Sequence, residues 1–171
     1  NLYVAFRAFA DKDEIRATIR SRDTGWLEDY VGVVIDTFGD DRYAIALGVN
    51  ALGSQLDLKQ TPGDRDEDTS WNILFFAETS FTDYGYSAEF KIPFAELRYP
   101  DEEVQEWSIG FVRKSFEPGT QTIFADFTVY AQDQCFFCAT DEIYVIQDLE
   151  ETNRNYVYPV SYTHLTLPTK C

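Results

Sequence analysis

An all-β fold, an antiparallel β-sandwich of jelly-roll-like type, is predicted across residues 2 to 130, and three observations predict it. Apolar and polar residues alternate with period two in one short segment after another. Clusters of Gly, Asp and Asn that suit tight turns separate those segments. Helical spacing of apolar residues is nearly absent.

In chain order, Leu2, Val4, Phe6 and Ala8 share one face of a first strand. Asp11 to Ile19 is the helix candidate, although it also reads as a loop and a short strand. Val31, Val33 and Ile35 share a face of the next clear strand, which ends at Asp36. Gly39 to Asp41 is turn chemistry and leads into Tyr43, Ile45, Leu47 and Val49. Asn50-Ala51-Leu52-Gly53 turns again, into Gln55 to Lys59 with Leu56 and Leu58 inward. Connections this short make antiparallel hairpins, because a parallel crossover needs about a dozen residues or more. Pro62 to Ser70 is a polar, acidic loop. Trp71, Ile73, Phe75 and Ala77 then alternate with Asn72, Leu74, Phe76 and Glu78. Thr82-Asp83-Tyr84-Gly85 turns the chain into Tyr86, Ala88, Phe90 and Ile92, a strand that Pro93 ends. Phe94 to Leu97 suits one helical turn, and Trp107, Ile109, Phe111 and then Ile123 to Tyr130 resume the alternation. The core expected from these phases is Val4, Phe6, Val33, Ile35, Ile45, Leu47, Ile73, Phe90, Ile92, Ile109 and Phe111.

Composition narrows the function. Aromatic residues make up 16% of the chain, far too many for a disordered acidic segment. The 30 Asp and Glu outnumber 14 Lys and Arg, which opposes phosphate backbones and anionic lipid, so nucleic acid is not an expected partner. There is no Met, and the chain opens in mid-strand, so further sequence is expected upstream. Residues 160 to 171 are set apart as adapter: Val160 to Thr169 match one reading frame of a common transposase sequencing adapter. That tail holds the sole His, His164, together with Lys170 and Cys171. Residues 1 to 131 form the expected sandwich, truncated at its N-terminus. Residues 132 to 159 lose the alternation and suit a linker, with a partial strand at Ile143 to Ile146. Cys135 and Cys138, in Gln-Cys-Phe-Phe-Cys, suit a local disulfide in an oxidising compartment or, failing that, half-buried thiols; a zinc site lacks a second pair.

Sugar recognition wants an aromatic face for pyranose C–H groups, flanked by planar polar groups for hydroxyls. Trp107 is in phase with Ile109 and Phe111 and belongs to the core. Trp71 is in phase with Ile73 and Phe75, which suits the core as well as a ligand platform, while Trp26 follows Gly25 in a polar loop and is the least core-like. The polar residues placed outward are Asn50, Gln55, Asp57, Glu89, Arg98 and Arg113. The ligand-binding candidates are thus Trp26, Asn50, Gln55, Asp57, Trp71, Arg98 and Arg113, and the polar ones also fit a solvated face or local ion pairs. Arg98 suits a pair with Glu89 or Asp36. Asp64, Asp66 and Asp68 make a D-x-D-x-D loop that suits either solvent or a structural Ca2+, the one candidate cofactor. Catalysis is not expected. Outside the tail there is no imidazole base, Ser54 in Leu-Gly-Ser-Gln lacks both a nucleophile elbow and a His, and 30 acidic residues make carboxylate pairs by chance.

Four segments carry a family resemblance: DYVGVVIDTFGDDRYAIALGVNALGSQLD (Asp29 to Asp57), SWNILFF (Ser70 to Phe76), YSAEFKIPFAELRYP (Tyr86 to Pro100) and WSIGFVRK (Trp107 to Lys114). They resemble the family 9 carbohydrate-binding modules, from Leu2 to about Tyr130. The family's second Trp after Ser-Trp is Phe75 or Phe76 here, and its acidic residue and Trp after the Arg strand are not evident in Thr120 to Tyr130. The resemblance implies a non-catalytic module binding an oligo- or polysaccharide, in the service of polysaccharide catabolism or uptake. The variant it looks most like precedes an outer-membrane-type barrel in bacterial envelope proteins. That implies a secreted protein of the periplasm or cell surface, outer-membrane associated, with a C-terminal membrane barrel as partner. It also implies an alternative, an envelope docking domain with no sugar ligand.

Overall fold

The computed structural model describes residues 1–40, 42–60, 67–117, 120–125, 143–147 and 149. Cys135, Cys138, Asp64, Asp66, residues 126–130 of the last expected strand and the 160–171 tail lie outside the described residues. Nine strands fall among the described residues: β1 (Leu2–Phe9), β2 (Tyr30–Asp36), β3 (Ala44–Asn50), β4 (Gln55–Gln60), β5 (Phe76–Thr82), β6 (Gly85–Ile92), β7 (Val104–Glu117), β8 (Thr120–Ala125) and β9 (Ile143–Gln147). One 3-10 turn, Phe94–Glu96, follows Pro93 where a single helical turn is expected. The segment from Asp11 to Ile19 forms no helix: a turn closes from Asp11 to Glu14 and the rest is irregular.

The strands form two antiparallel sheets, as predicted. A three-stranded sheet has the order β1-β6-β5, and a six-stranded one runs β4-β3-β2-β7-β8, with β9 also paired to β7. The chain passes between sheets from β1 to β2, from β4 to β5 and from β6 to β7, which gives the jelly-roll-like character. Short turns set the register of the hairpins. Asp83-Tyr84 joins Thr82 to Gly85, and Gly85 has φ 137°, where a Cβ would stand 2.2 Å from the Ala8 carbonyl oxygen. The partial strand expected at Ile143 to Ile146 is β9, laid along Val104 to Ser108 of β7.

The facing surfaces of the two sheets bury Val31, Val33, Ile35, Ile45, Leu47 and Val49 against Ala8, Tyr86, Ala88, Phe90 and Ile92. Phe90 stacks on Phe75 at 6.0 Å and meets Phe6 edge-on at 5.6 Å, geometry worth about 1 kcal/mol per pair beyond the area buried. Ile73, Ile109 and Trp107 are buried in the same core, while Val4, Phe6 and Phe111 are half-buried against it. Phe94 and Tyr99 close over Trp107 with ring centroids at 5.9 and 5.5 Å.

One expectation about β4 is corrected. Leu56 and Leu58 are buried, but on the face turned away from the smaller sheet, because they stand opposite Gly48 and Ala46 while Asp57 stands opposite Leu47. Every position of β2 and β3 is buried, so both faces of the larger sheet are covered there. The outer face is lined by small residues: Gly32 opposes Gly48, and a Cβ at Gly32 would lie 2.7 Å from the Leu47 carbonyl oxygen. Trp26 packs onto this face.

Candidate functional site

The polar residues of the β3–β4 turn are held from the loop that precedes β2. Asn50 is buried, not outward. Its Nδ2 donates to the Thr18 carbonyl and to Glu28 Oε2, both at 2.8 Å, and its Oδ1 accepts from the amides of Leu52 and Ser54. Glu28 is buried too and gathers four donors: the Thr18 amide at 3.0 Å, Thr18 Oγ1 at 2.5 Å, Arg20 Nε at 2.9 Å and Asn50 Nδ2. Burial alone pushes this carboxyl up, but the hydrogen bonds from Thr18, Arg20 and Asn50 outweigh it and hold the value at about 2.

Asp57 is likewise buried rather than outward, and both its oxygens are committed. Oδ1 accepts from Arg22 Nε at 2.6 Å and Oδ2 from the Ile73 amide at 2.8 Å. Arg22 also donates from Nη1 to Gln55 Oε1 at 2.8 Å and from Nη2 to the Ile73 carbonyl at 2.6 Å, with its guanidinium 5.1 Å from the centre of the Phe75 ring. Gln55 Nε2 completes the set by donating to the Phe75 carbonyl at 3.2 Å. Asp23, in the left-handed region at φ 63°, accepts the Asp57 amide at 2.6 Å. Burial pushes the Asp23 carboxyl up to about 6; the Asp57 amide hydrogen bond and Arg22 oppose this, and the Asp57 carboxylate adds to it.

The structure therefore joins Gln55 and Asp57 through Arg22, sets Asn50 in the neighbouring Glu28 network, and places the half-buried Trp71 two residues upstream of Ile73. The other three candidates lie elsewhere. Trp26 is half-buried on the outer face, edge-on to Tyr30 at 5.5 Å, and its carbonyl accepts from the buried Lys114 Nζ at 2.5 Å. Its indole Nε1 is buried and has no hydrogen-bond partner among the described residues. Arg98 is exposed beside Tyr43 and gives its carbonyl to Thr37 Oγ1, while Asp36 accepts from the amides of Phe38 and Gly39. Arg113 is half-buried and donates to the Phe9 carbonyl at 2.6 Å. Asp68, the described member of the D-x-D-x-D run, accepts from Ser70 and lies 3.5 Å from Lys59 Nζ; no group of three metal-ligating side chains occurs among the described residues.

Arg22 and Glu28, which organise the rim, escape a reading of local pattern. Their partners lie 35, 33 and 51 residues away for Arg22 and 22 residues away for the bond from Asn50 to Glu28. The polar atoms of Asp57 and Gln55 are spent on backbone and guanidinium partners, so they build the rim. Of the candidate residues, Trp71 and Trp26 are the aromatic ones, both half-buried.

Comparison with known proteins adds one likeness of fold. No family model and no curated protein matches the chain. A crystal structure described as that of a candidate carbohydrate-binding protein from Bacteroides uniformis ATCC 8492 matches with a TM-score of 0.50 and 14% identity, over 65% of this chain and 57% of that one. This chain thus spans less than two thirds of its structural neighbour, and the two share an antiparallel sandwich architecture.

Proposed function

We propose that this domain is a non-catalytic carbohydrate-binding module of the family 9 type. The likeness of its two-sheet fold to a candidate carbohydrate-binding protein is the observation that carries the reading. The resemblance of Ser70 to Phe76 and Tyr86 to Pro100 to that family's segments supports it. The half-buried Trp71 offers the aromatic face for pyranose stacking, on a segment fixed by side chains, and Trp26 offers a second. A neutral sugar suits a chain of formal charge −16 better than an anionic ligand does. A glycan array spanning plant, algal and bacterial oligosaccharides tests this when repeated on Trp71→Ala and Trp26→Ala. The reading expects the wild type to be retained and one variant to lose about tenfold or more in affinity, the scale of one stacking contact.

A second reading is an interaction domain without a sugar ligand, and the exposed apolar residues Val104, Ile143 and Val145 on β7 and β9 favour it. It predicts no retention on any glycan, with the array response unchanged by either Trp substitution.

A further inference from the structure

The segment Trp71 to Phe75 alternates in burial like a strand, yet it belongs to no strand ladder. Its backbone is held instead by side chains: Asp57 takes the Ile73 amide, Arg22 gives to the Ile73 carbonyl and Gln55 gives to the Phe75 carbonyl. Arg22 ties these together, since the same guanidinium also donates to Asp57 and to Gln55. We propose that Arg22 is the positioning residue of the rim: its guanidinium fixes the Trp71–Phe75 segment on β4, and the Trp71 face with it, through a clasp that is tightest when Asp23 is uncharged.

The charge pattern supplies the second half of the proposal. Arg22 Nε stands 2.6 Å from Asp57 Oδ1 and 3.9 Å from Asp23 Oδ2, so two carboxylates share one guanidinium. The charged groups of the cluster are Asp23, Asp57 and Arg22; the Trp71–Phe75 segment carries no ionisable side chain. When Asp23 ionises, it repels Asp57 and competes for Arg22. Its folded value, about 6, lies above the ordinary 3.8, so its protonated form favours the clasp. That contribution is complete below the ordinary value and is lost as pH rises through about 6.

Only the consequence for ligand affinity rests on the sugar-binding reading, so the test uses no ligand. Amide exchange followed by NMR on the full chain reports the protection of the Ile73 amide relative to the Val33 amide of the core, which cancels global unfolding. Arg22→Lys keeps the charge and loses the fork. It is expected to lower relative Ile73 protection by about tenfold or more and to shift the Trp71 indole N–H resonance but not that of Trp107. In the wild type, relative protection is expected to fall between about pH 4 and about pH 6 and to level off above that, and Asp23→Asn is expected to abolish that dependence. Unchanged Ile73 protection or an unmoved Trp71 resonance in Arg22→Lys overturns the positioning role. A wild-type pH dependence in Asp23→Asn overturns the part given to Asp23.

Discussion

Glu28 shows how a buried carboxylate can stabilise a loop when every lone pair has a donor. Four hydrogen bonds reach it from Thr18, Arg20 and Asn50, and its value of about 2 lies below the ordinary 4.5. A depressed carboxyl contributes stability that is present above the ordinary value and lost as pH falls towards the folded one. The shift corresponds to a contribution on the order of 3 kcal/mol at neutral pH. Glu28→Gln should therefore lower stability by about 2 to 3 kcal/mol at pH 7, and thermal melts should show the gap closing as pH falls from about 4.5 towards about 2. A gap that is constant with pH would remove the charged hydrogen bonds from the account. At this same scale the polar residues were the hardest to read. Asn50, at a turn, and Asp57, between Leu56 and Leu58, are expected outward, and both are buried, since β3 and β4 have no solvent-facing side at those positions. Burying them is tolerable because their polar atoms are met by partners, and those from Thr18, Glu28, Arg22 and Ile73 are too distant in sequence for a local pattern to reveal.

Among the elements, period-two alternation located the strands well, because one face of each packs on the other sheet. It placed Val33, Ile35, Leu47, Phe90 and Ile92 in the core, where they lie. Trp71 to Phe75 keeps the alternation and lacks the ladder, a distinction that side-chain periodicity cannot make. The β4 edge is also covered in an irregular way. Asp23 meets it at Gln55 and Asp57, and Asp68 exchanges two backbone hydrogen bonds with Lys59, so its free groups do not invite another strand. Turn chemistry was legible where geometry demands one residue type. Gly85 sits at φ 137° with the Ala8 carbonyl in the way of a Cβ. Gly85→Ala should cost at least about 2 kcal/mol through backbone strain and overlap, read as a lowered midpoint in denaturant titration. Asp83→Ala, in the same turn but exposed, should cost less than about 0.5 kcal/mol.

For the molecule as a whole, the architecture follows from two apolar sheet faces that have only each other to bury against. The outer face of the larger sheet was not foreseen. Its Gly and Ala residues at positions 32, 44, 46 and 48 carry too little side chain to mark a buried surface by pattern, yet all are buried, with Trp26 packed onto that face. That is why Trp26, read from its polar loop as the freest of the three Trp residues, is half-buried instead. Fold and function separate here: the sandwich is shared with a candidate carbohydrate-binding protein, and likeness of fold does not by itself fix a ligand. The central proposal is that this domain binds a sugar without altering it. Isothermal titration calorimetry of the full chain against a panel of neutral oligosaccharides, with each sugar recovered and analysed afterwards, tests this most directly. The account predicts saturable heat with at least one of them, at a dissociation constant on the order of micromolar to millimolar, and the sugar recovered intact. Heat from none of them with a folded protein, or recovery of a cleaved sugar, would contradict it.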